Sequence, residues 1–129
     1  MNSKELSVSE LVLMKIIWDH ETDISMPELM SILKDEYGKD YARTTVVTFL
    51  MSMTNKGYVQ TYRKGKNAYA HATKSRDEYR SFIAKRDLKM WFGGSAVNYL
   101  AALNQDEKMS KEEIRKAKLS LEILENMDD

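Results

Sequence analysis

The 129-residue sequence predicts a mainly α-helical protein with one small β-hairpin. Three observations support this fold class. One Pro and five Gly leave few residues that interrupt helices. Apolar residues recur with the helical period up to Gly57 and again after residue 73, whereas the period between these points is close to two. Ser-x-x-Glu sequences, which are typical of helix starts, occur at Ser7, Ser25 and Ser110.

Three helices are expected before residue 57. The first begins at the Ser7 cap and the second at the Ser25 cap, and Gly38 is placed to end the second in the left-handed conformation. The third covers roughly residues 42–55. Its apolar residues follow the spacing i, i+3, i+4, i+7 and are Val46, Phe49, Leu50 and Met53.

The next segment alternates between side chains of different polarity, as strands do. Residues 58–63 are rich in β-branched and aromatic types, residues 64–67 predict a turn, and residues 68–73 alternate again. The pair predicts a hairpin with a basic tip. Three helices followed by a hairpin is the order of a winged helix-turn-helix domain, in which the third helix enters the major groove of DNA and the hairpin is the wing.

The sequence predicts two domains, a winged-helix DNA-binding domain in residues 1–73 and a three-helix C-terminal dimerisation lobe in residues 74–129. The lobe helices are expected near 77–91, 95–103 and after Ser110. So short a segment cannot bury this much apolar surface alone, so a second copy is expected to cover it; the alternative is packing onto the first lobe. The residues assigned to dimerisation are Tyr79, Phe82, Ile83, Trp91, Phe92, Val97, Leu100, Leu103, Ile114, Ala117, Leu121 and Leu124.

Charge is segregated along the chain, although basic and acidic residues are equal in number, at 20 each. Residues 1–38 have an excess of five negative charges, residues 39–73 an excess of five positive charges, and residues 74–129 are balanced. A local basic block suits binding to a polyanion whatever the total charge. The alternative is a solvated basic face.

Several short motifs occur in a specific order and spacing. They are Ser7-Val8-Ser9-Glu10-Leu11 before Met14 and Ile16-Ile17-Trp18, Thr45-Val46 with Thr48 and Leu50, Lys56-Gly57, Lys64-Gly65-Lys66 with Tyr69, and Phe92-Gly93-Gly94. Through them the chain resembles the penicillinase and methicillin-resistance repressors of the BlaI/MecI/CopY type over nearly its whole length. The resemblance implies a bacterial, dimeric transcriptional repressor with interlocked C-terminal helices, which binds a dyad-symmetric operator on double-stranded DNA.

The resemblance also implies how repression ends. In the family, the repressor is cleaved after a membrane sensor detects a β-lactam, or copper acts through a C-terminal cysteine cluster. This chain has no Cys, which excludes the copper branch. The β-lactam repressors are cleaved at an Asn-Phe bond. At the equivalent position this chain has Ala101-Ala102, which is its possible cleavage region. We expect proteolysis, or another signal-dependent loss of the dimer, with a membrane sensor or protease acting upstream.

The residues assigned to DNA lie on the solvent side of the third helix and at the wing tip. Thr hydroxyls suit phosphates or base edges, and Thr and Val methyls suit the thymine methyl. Val47 occupies a position where members of the similar family often have Arg or another polar side chain, which leaves Arg43 as the best bidentate donor. Tyr41 is expected to anchor the start of the helix or to bind a phosphate, and the alternative is that it only packs inside the protein. For Val47 and Met51, the alternative is that they extend the hydrophobic core. The assigned residues are Tyr41, Arg43, Thr44, Thr45, Val47, Thr48, Met51, Ser52, Arg63, Lys64 and Lys66.

Other chemistry has little support in the sequence. His20 and His71 have no partner at metal-ligand spacing, and no catalytic constellation is visible, so we expect no enzyme, metal or cofactor. Lys15 interrupts the longest apolar stretch and no signal peptide is visible, which predicts a cytoplasmic protein without stable membrane association. Two alternatives remain: a repressor gated by a small ligand in a pocket lined by Tyr79, Trp91 and Phe92 between the lobes, and a winged helix that docks proteins.

Overall fold

The computed structural model describes residues 5–127, and the predicted fold class is confirmed: the protein is mainly α-helical and contains one small antiparallel sheet. In chain order the elements are α1 (Val8–Asp19), β1 (Ile24–Ser25), α2 (Met26–Tyr37), α3 (Arg43–Asn55), β2 (Val59–Lys64), β3 (Asn67–Ala72), α4 (Arg76–Phe92), α5 (Ala96–Leu103) and α6 (Lys111–Glu125). None of these helices is long and apolar enough to cross a membrane.

Helix caps fix where the elements begin and end. Ser7 and Glu10 form a complete capping box, in which each side chain accepts a hydrogen bond from the other residue's backbone N–H. The Ser25 and Ser110 side chains likewise accept from the N–H three residues later. Gly38 ends α2 with φ of 65°, a left-handed conformation that favours glycine.

The sheet has the strand order β1-β3-β2 and contains one strand more than the hairpin predicted from the sequence. Ile24 of β1 pairs with Ala70, and residues 59–64 pair with 67–72 in the hairpin. The hairpin loop has only two residues, and Gly65 at its first position has φ of 65°, as a type II′ turn requires. The strands therefore continue one residue further towards the tip than expected.

The chain forms two compact units, of which the first ends at Arg80 and the second begins at Ser81, within α4. The core of the first unit contains apolar side chains of α1, α2, α3 and the sheet, all of them buried: Leu13, Met14, Ile24, Leu29, Leu33, Val46, Leu50, Met53, Tyr58 and Val59. This core holds α3 and the hairpin, on which the candidate site is built.

The first turn of α4 belongs to the first unit because aromatic side chains hold it there. Tyr79 is only 5% exposed, and its ring centroid lies 5.8 Å from that of Trp18 and 5.7 Å from that of Tyr58. The Trp18 indole N–H also donates to the Lys74 carbonyl at 2.8 Å. Burial, with the neighbouring Tyr79 and Glu10, raises the pKa of Tyr58 to about 12.

Candidate nucleic-acid interface

Helix α3 buries one face and presents the other to solvent. Val46, Leu50 and Met53 are buried. Val47 and Met51, which follow two of them in sequence and so lie about 100° further round the helix, are 36% and 62% exposed. The exposed face therefore includes two large apolar side chains among hydroxyl and basic groups.

The residues assigned to DNA on α3 divide by exposure. Arg43, Thr44, Val47, Thr48 and Met51 are exposed, and Thr45 and Ser52 are half-buried. The structure thus brings five assigned residues together on one accessible face of the helix.

Two of the assigned residues have partners inside the protein. The Ser52 side chain hydrogen-bonds to the buried Glu10 carboxylate, so it is directed towards α1. The Tyr41 ring meets Phe49 edge-to-face, with centroids 5.4 Å apart. Of the two roles considered for Tyr41, this geometry matches packing at the start of α3.

The hydroxyl of Thr48 donates to the Thr44 carbonyl at 3.0 Å. Its proton is therefore used inside the helix, while the oxygen lone pairs and the methyl group remain on the exposed face. Thr48 can in this state accept a hydrogen bond from outside the helix or make an apolar contact.

The wing tip has three basic residues in two different environments. The Arg63 guanidinium donates to the Lys66 carbonyl at 2.9 Å and so braces the turn. Lys64 and Lys66 have exposed side chains, and within residues 5–127 no hydrogen bond or ion pair holds either ammonium group. The two lysines are therefore available as point charges, whereas Arg63 has a structural contact as well.

A groove of about 230 Å³ separates α3 from the wing. Its α3 side consists of Arg43, Val47 and Met51, and Arg63 lies on its wing side. The small side chains of Ala68 and Ala70 leave this space open. Other lining residues are Ile24, Met26, Leu29, Leu50, Thr61 and Tyr69.

Thr61 belongs to the candidate interface, although we did not assign it from the sequence. Strand alternation places it on the same side of β2 as Arg63, two residues later, and both line the groove. Because Arg63 was assigned to DNA, the alternation of side chains along a strand could have predicted from the sequence that Thr61 lies on the same side.

A carboxylate at the turn before β1 attaches the wing to the rest of the first unit. One oxygen of Asp23 accepts from the Tyr62 hydroxyl at 2.5 Å, and the other lies 2.8 Å from Nδ1 of His71. The Tyr62 ring stacks on Tyr69 at a centroid distance of 5.6 Å. The Tyr62 hydrogen bond and then the His71 contact lower the pKa of Asp23.

A buried ion pair fixes the end of α3 to the start of α1. Glu10 is only 2% exposed, and its carboxylate accepts from the Lys56 ammonium at 2.6 Å and from the Ser7 N–H at 2.8 Å. Burial acts to raise the pKa of Glu10, but the hydrogen bonds from Lys56, Ser52 and Ser7 outweigh it and the pKa is lowered. The carboxylate is thus charged at neutral pH and positions α3.

In the second unit, much of the apolar surface is exposed within the single chain. Neither α5 nor α6 has a buried residue. A second groove, of about 300 Å³, lies between these two helices. Its lining residues are Leu100, Ala101, Asn104, Met109, Ile114, Ala117, Lys118 and Leu121.

Most of the residues assigned to dimerisation lie on this unit, with differing exposure. Ile83, Phe92 and Ala117 are half-buried, and Phe92 packs edge-to-face on Tyr99 with centroids 5.0 Å apart. Tyr79 lies instead in the core of the first unit, because Trp18 and Tyr58 surround its ring. The exposed members are Phe82, Trp91, Val97, Leu100, Leu103, Ile114, Leu121 and Leu124.

Ala101 and Ala102, the possible cleavage region, are exposed and lie inside helix α5. Among residues 5–127, no three His, Cys, Asp or Glu side chains are grouped so that they could hold a metal ion.

Comparison with known proteins gives one family and two similar structures. The family described as "Penicillinase repressor" matches residues 6–123. A solution structure of the DNA-binding domain of the repressor BlaI is similar to this chain, with a TM-score of 0.50 and 24% identity over 61% of this chain and 94% of that one. The monomeric form of Bacillus licheniformis BlaI in complex with the blaP half-operator has a TM-score of 0.47 and 24% identity, over 58% of this chain and 88% of that one. No curated protein sequence matches the chain. The first of the two structures supports the fold of the first unit.

Proposed function

The chain belongs to the penicillinase repressor family, and we therefore propose that it is a bacterial transcriptional repressor. The proposed protein is a cytoplasmic dimer that binds a dyad-symmetric operator. In this proposal α3 of each protomer lies in the major groove and the wing contacts the DNA backbone. The proposed DNA-binding domain is residues 1–73, and Tyr79 in the first turn of α4 packs on its core. The rest of α4, with α5 and α6, is proposed to form the dimer interface.

The observation that supports DNA binding best is the combined surface of α3 and the wing. Arg43, Thr44 and Thr48 are exposed on α3, and the Lys64 and Lys66 ammonium groups extend from the adjoining hairpin. Phosphate contacts by basic side chains provide affinity, and contacts to base edges provide sequence preference.

The apolar surface of the second unit supports a homodimer. Leu103, Leu121 and Leu124 are at least half exposed in the single chain. Exposed apolar surface of this extent on one unit is typical of an interface. A second copy of the chain would bury this surface. It would also hold two winged domains together, so that after one binds its half-site the other binds the second half-site at high effective concentration.

Relief of repression is proposed to occur by loss of this dimer, through proteolysis or another signal-dependent event, with a sensor or protease acting upstream. Cleavage at Ala101-Ala102 would separate α6 from the rest of the chain. Since these residues lie within a helix, a protease acting there needs α5 to unwind locally.

Binding of the full-length protein to duplex DNA tests the proposal. We expect a duplex that contains an inverted repeat to bind with an affinity that falls steeply as salt concentration rises, because lysines release counterions from the DNA. Lys64→Ala combined with Lys66→Ala should weaken all duplexes similarly and, because both protomers of the dimer lose both lysines, reduce the slope of log affinity against log salt by about four.

The matched control is Lys108→Ala combined with Lys111→Ala, two exposed lysines of the second unit, which should leave the slope unchanged. Fluorescence anisotropy at four or more salt concentrations measures both slopes. Binding that is absent, or insensitive to salt, would contradict the proposed function.

A further inference from the structure

Three residues on consecutive turns of α3, Arg43, Val47 and Met51, form a ridge that faces the groove towards the wing. The middle and last members are apolar and 36% and 62% exposed, next to helix positions that are fully buried. The neighbouring alanines of β3, Ala68 and Ala70, leave the groove unfilled. Two exposed apolar side chains in this place need an explanation because the other exposed residues on this face of α3, Arg43, Thr44 and Thr48, are basic or carry hydroxyl groups.

We propose that Val47 and Met51 recognise the C5-methyl groups of thymines in each half-site. The inference rests on the proposed function and specifies which base edges α3 contacts. In the major groove, thymine presents a methyl group beside its O4 acceptor, and aliphatic side chains contact that methyl. Neither Val47 nor Met51 has a donor with which to recognise guanine, and the only side-chain acceptor that either could offer to the amino group of cytosine is the weak thioether sulfur of Met51.

The chemistry of the neighbouring groups agrees with this assignment. The Thr48 hydroxyl donates to the Thr44 carbonyl, so it approaches the DNA with a methyl group and an acceptor oxygen rather than a free proton. Arg43 stands at the first helical position, one turn before Val47, and within the described residues neither a hydrogen bond nor an ion pair holds its guanidinium. It can therefore contact a phosphate or a guanine at the end of the apolar ridge.

The helix spacing limits where the thymines lie. Four residues advance an α-helix by about 6 Å, and successive base pairs are separated by about 3.4 Å. Val47 and Met51 therefore face base pairs no more than about two steps apart. Two thymines at this spacing, on either strand, are expected in each half-site.

Replacing thymine by deoxyuridine removes only the C5-methyl group and tests the proposal directly. The full-length protein first selects its operator from a pool of random duplexes, and each thymine of the selected operator is then replaced in turn. Loss of one methyl contact should weaken binding about fourfold. We expect this at two thymines of a half-site, no more than two steps apart, and no loss at thymines elsewhere.

Protein variants assign each methyl to a side chain. Val47→Ala should reduce the deoxyuridine effect to nearly onefold at one of the two thymines, and Met51→Ala should do so at the other. Val47→Thr, which keeps a γ-methyl group, should retain the effect. Lys64→Ala should lower the affinity for the thymine and deoxyuridine duplexes equally, and thermal melting of each variant checks that it is folded.

The outcomes separate this inference from the proposed function. Sequence-specific binding with no methyl-sensitive thymine would overturn the inference and leave the repressor proposal standing. A deoxyuridine effect that is equally large in wild type, Val47→Ala and Met51→Ala would overturn it as well. Absence of sequence preference with any duplex would overturn both.

Discussion

At the scale of single residues, the pair formed by Glu10 and Lys56 matters most for the position of α3. The Glu10 carboxylate is buried, whereas the Lys56 side chain is 24% exposed. A buried charge that loses its partner is strongly destabilising, because desolvation is then uncompensated. Lys56→Met should therefore lower the free energy of unfolding by about 3 kcal/mol, and Glu10→Gln by about 1.5–3 kcal/mol.

Urea denaturation at pH 7 measures both losses. The matched control is Glu112→Gln, which removes an exposed ion pair with Arg115 near the start of α6 and should leave the unfolding free energy unchanged. Equal stability of Lys56→Met and wild type would show that the pair does not hold α1 and α3 together.

The same pair predicts a pH dependence. The folded pKa of Glu10 is lowered, so the unfolded chain takes up the proton first as the pH falls. The stabilisation is fully present above the ordinary carboxyl pKa and disappears as the pH falls through the lower, folded value. Melting temperatures of wild type and Glu10→Gln should thus converge in acid, whereas a constant difference between pH 7 and pH 3 would contradict this assignment.

At the scale of elements, Asp23 attaches the wing through the Tyr62 hydroxyl. Tyr62→Phe removes this hydrogen bond and keeps the ring that stacks on Tyr69, so we expect faster amide hydrogen exchange in β2 and β3 with a small fall in melting temperature. Tyr69→Phe is the matched control, because within residues 5–127 no hydrogen bond to the Tyr69 hydroxyl is found. Equal exchange rates in the two variants would remove the hydroxyl from the wing's support.

The elements themselves were largely predictable, because local signals specify them. Capping sequences at Ser7, Ser25 and Ser110 gave the helix starts, and the change of period after Gly57 gave the hairpin. Strand β1 was missed because two residues are too few for a period to appear. Contacts distant in sequence were beyond local patterns: the Ser52 hydrogen bond to Glu10 depends on how two helices meet.

Tyr79 shows the same limit. It shares a helix with Phe82 and Ile83 and was assigned with them to dimerisation, because a sequence pattern predicts an apolar face but not what covers it. The structure gives that partner as Trp18 and Tyr58, which lie far away in sequence. The exposed side of α3 was simpler to predict, because its apolar stripe fixes which side faces outwards, but Ser52, which was assigned to that side, hydrogen-bonds to Glu10 of α1.

At the scale of the whole molecule, occupancy of the proposed operator depends on two winged domains held together by the second unit. Ending the chain after Ala101 removes α6 and one wall of the groove between α5 and α6, but keeps Tyr79 with Trp18 and Tyr58. We therefore expect the 1–101 fragment to keep a folded winged domain, to be monomeric at micromolar concentration, and to release the operator, because the second half-site no longer binds at high effective concentration.

A shorter fragment, residues 1–74, separates folding from dimerisation. It lacks Tyr79 and so leaves the rings of Trp18 and Tyr58 without that contact, which should lower its melting temperature below that of the 1–101 fragment.

In the full-length chain, Leu121→Glu combined with Leu124→Glu should reproduce the monomeric state without any truncation, since both side chains are more than half exposed and tolerate charge in the monomer. Sedimentation gives the mass of each species, and a gel-shift titration gives its operator affinity. A 1–101 fragment that is dimeric and binds as tightly as the full chain would remove α6 from the mechanism, and dimerisation would then depend on the remaining residues of α4 and α5.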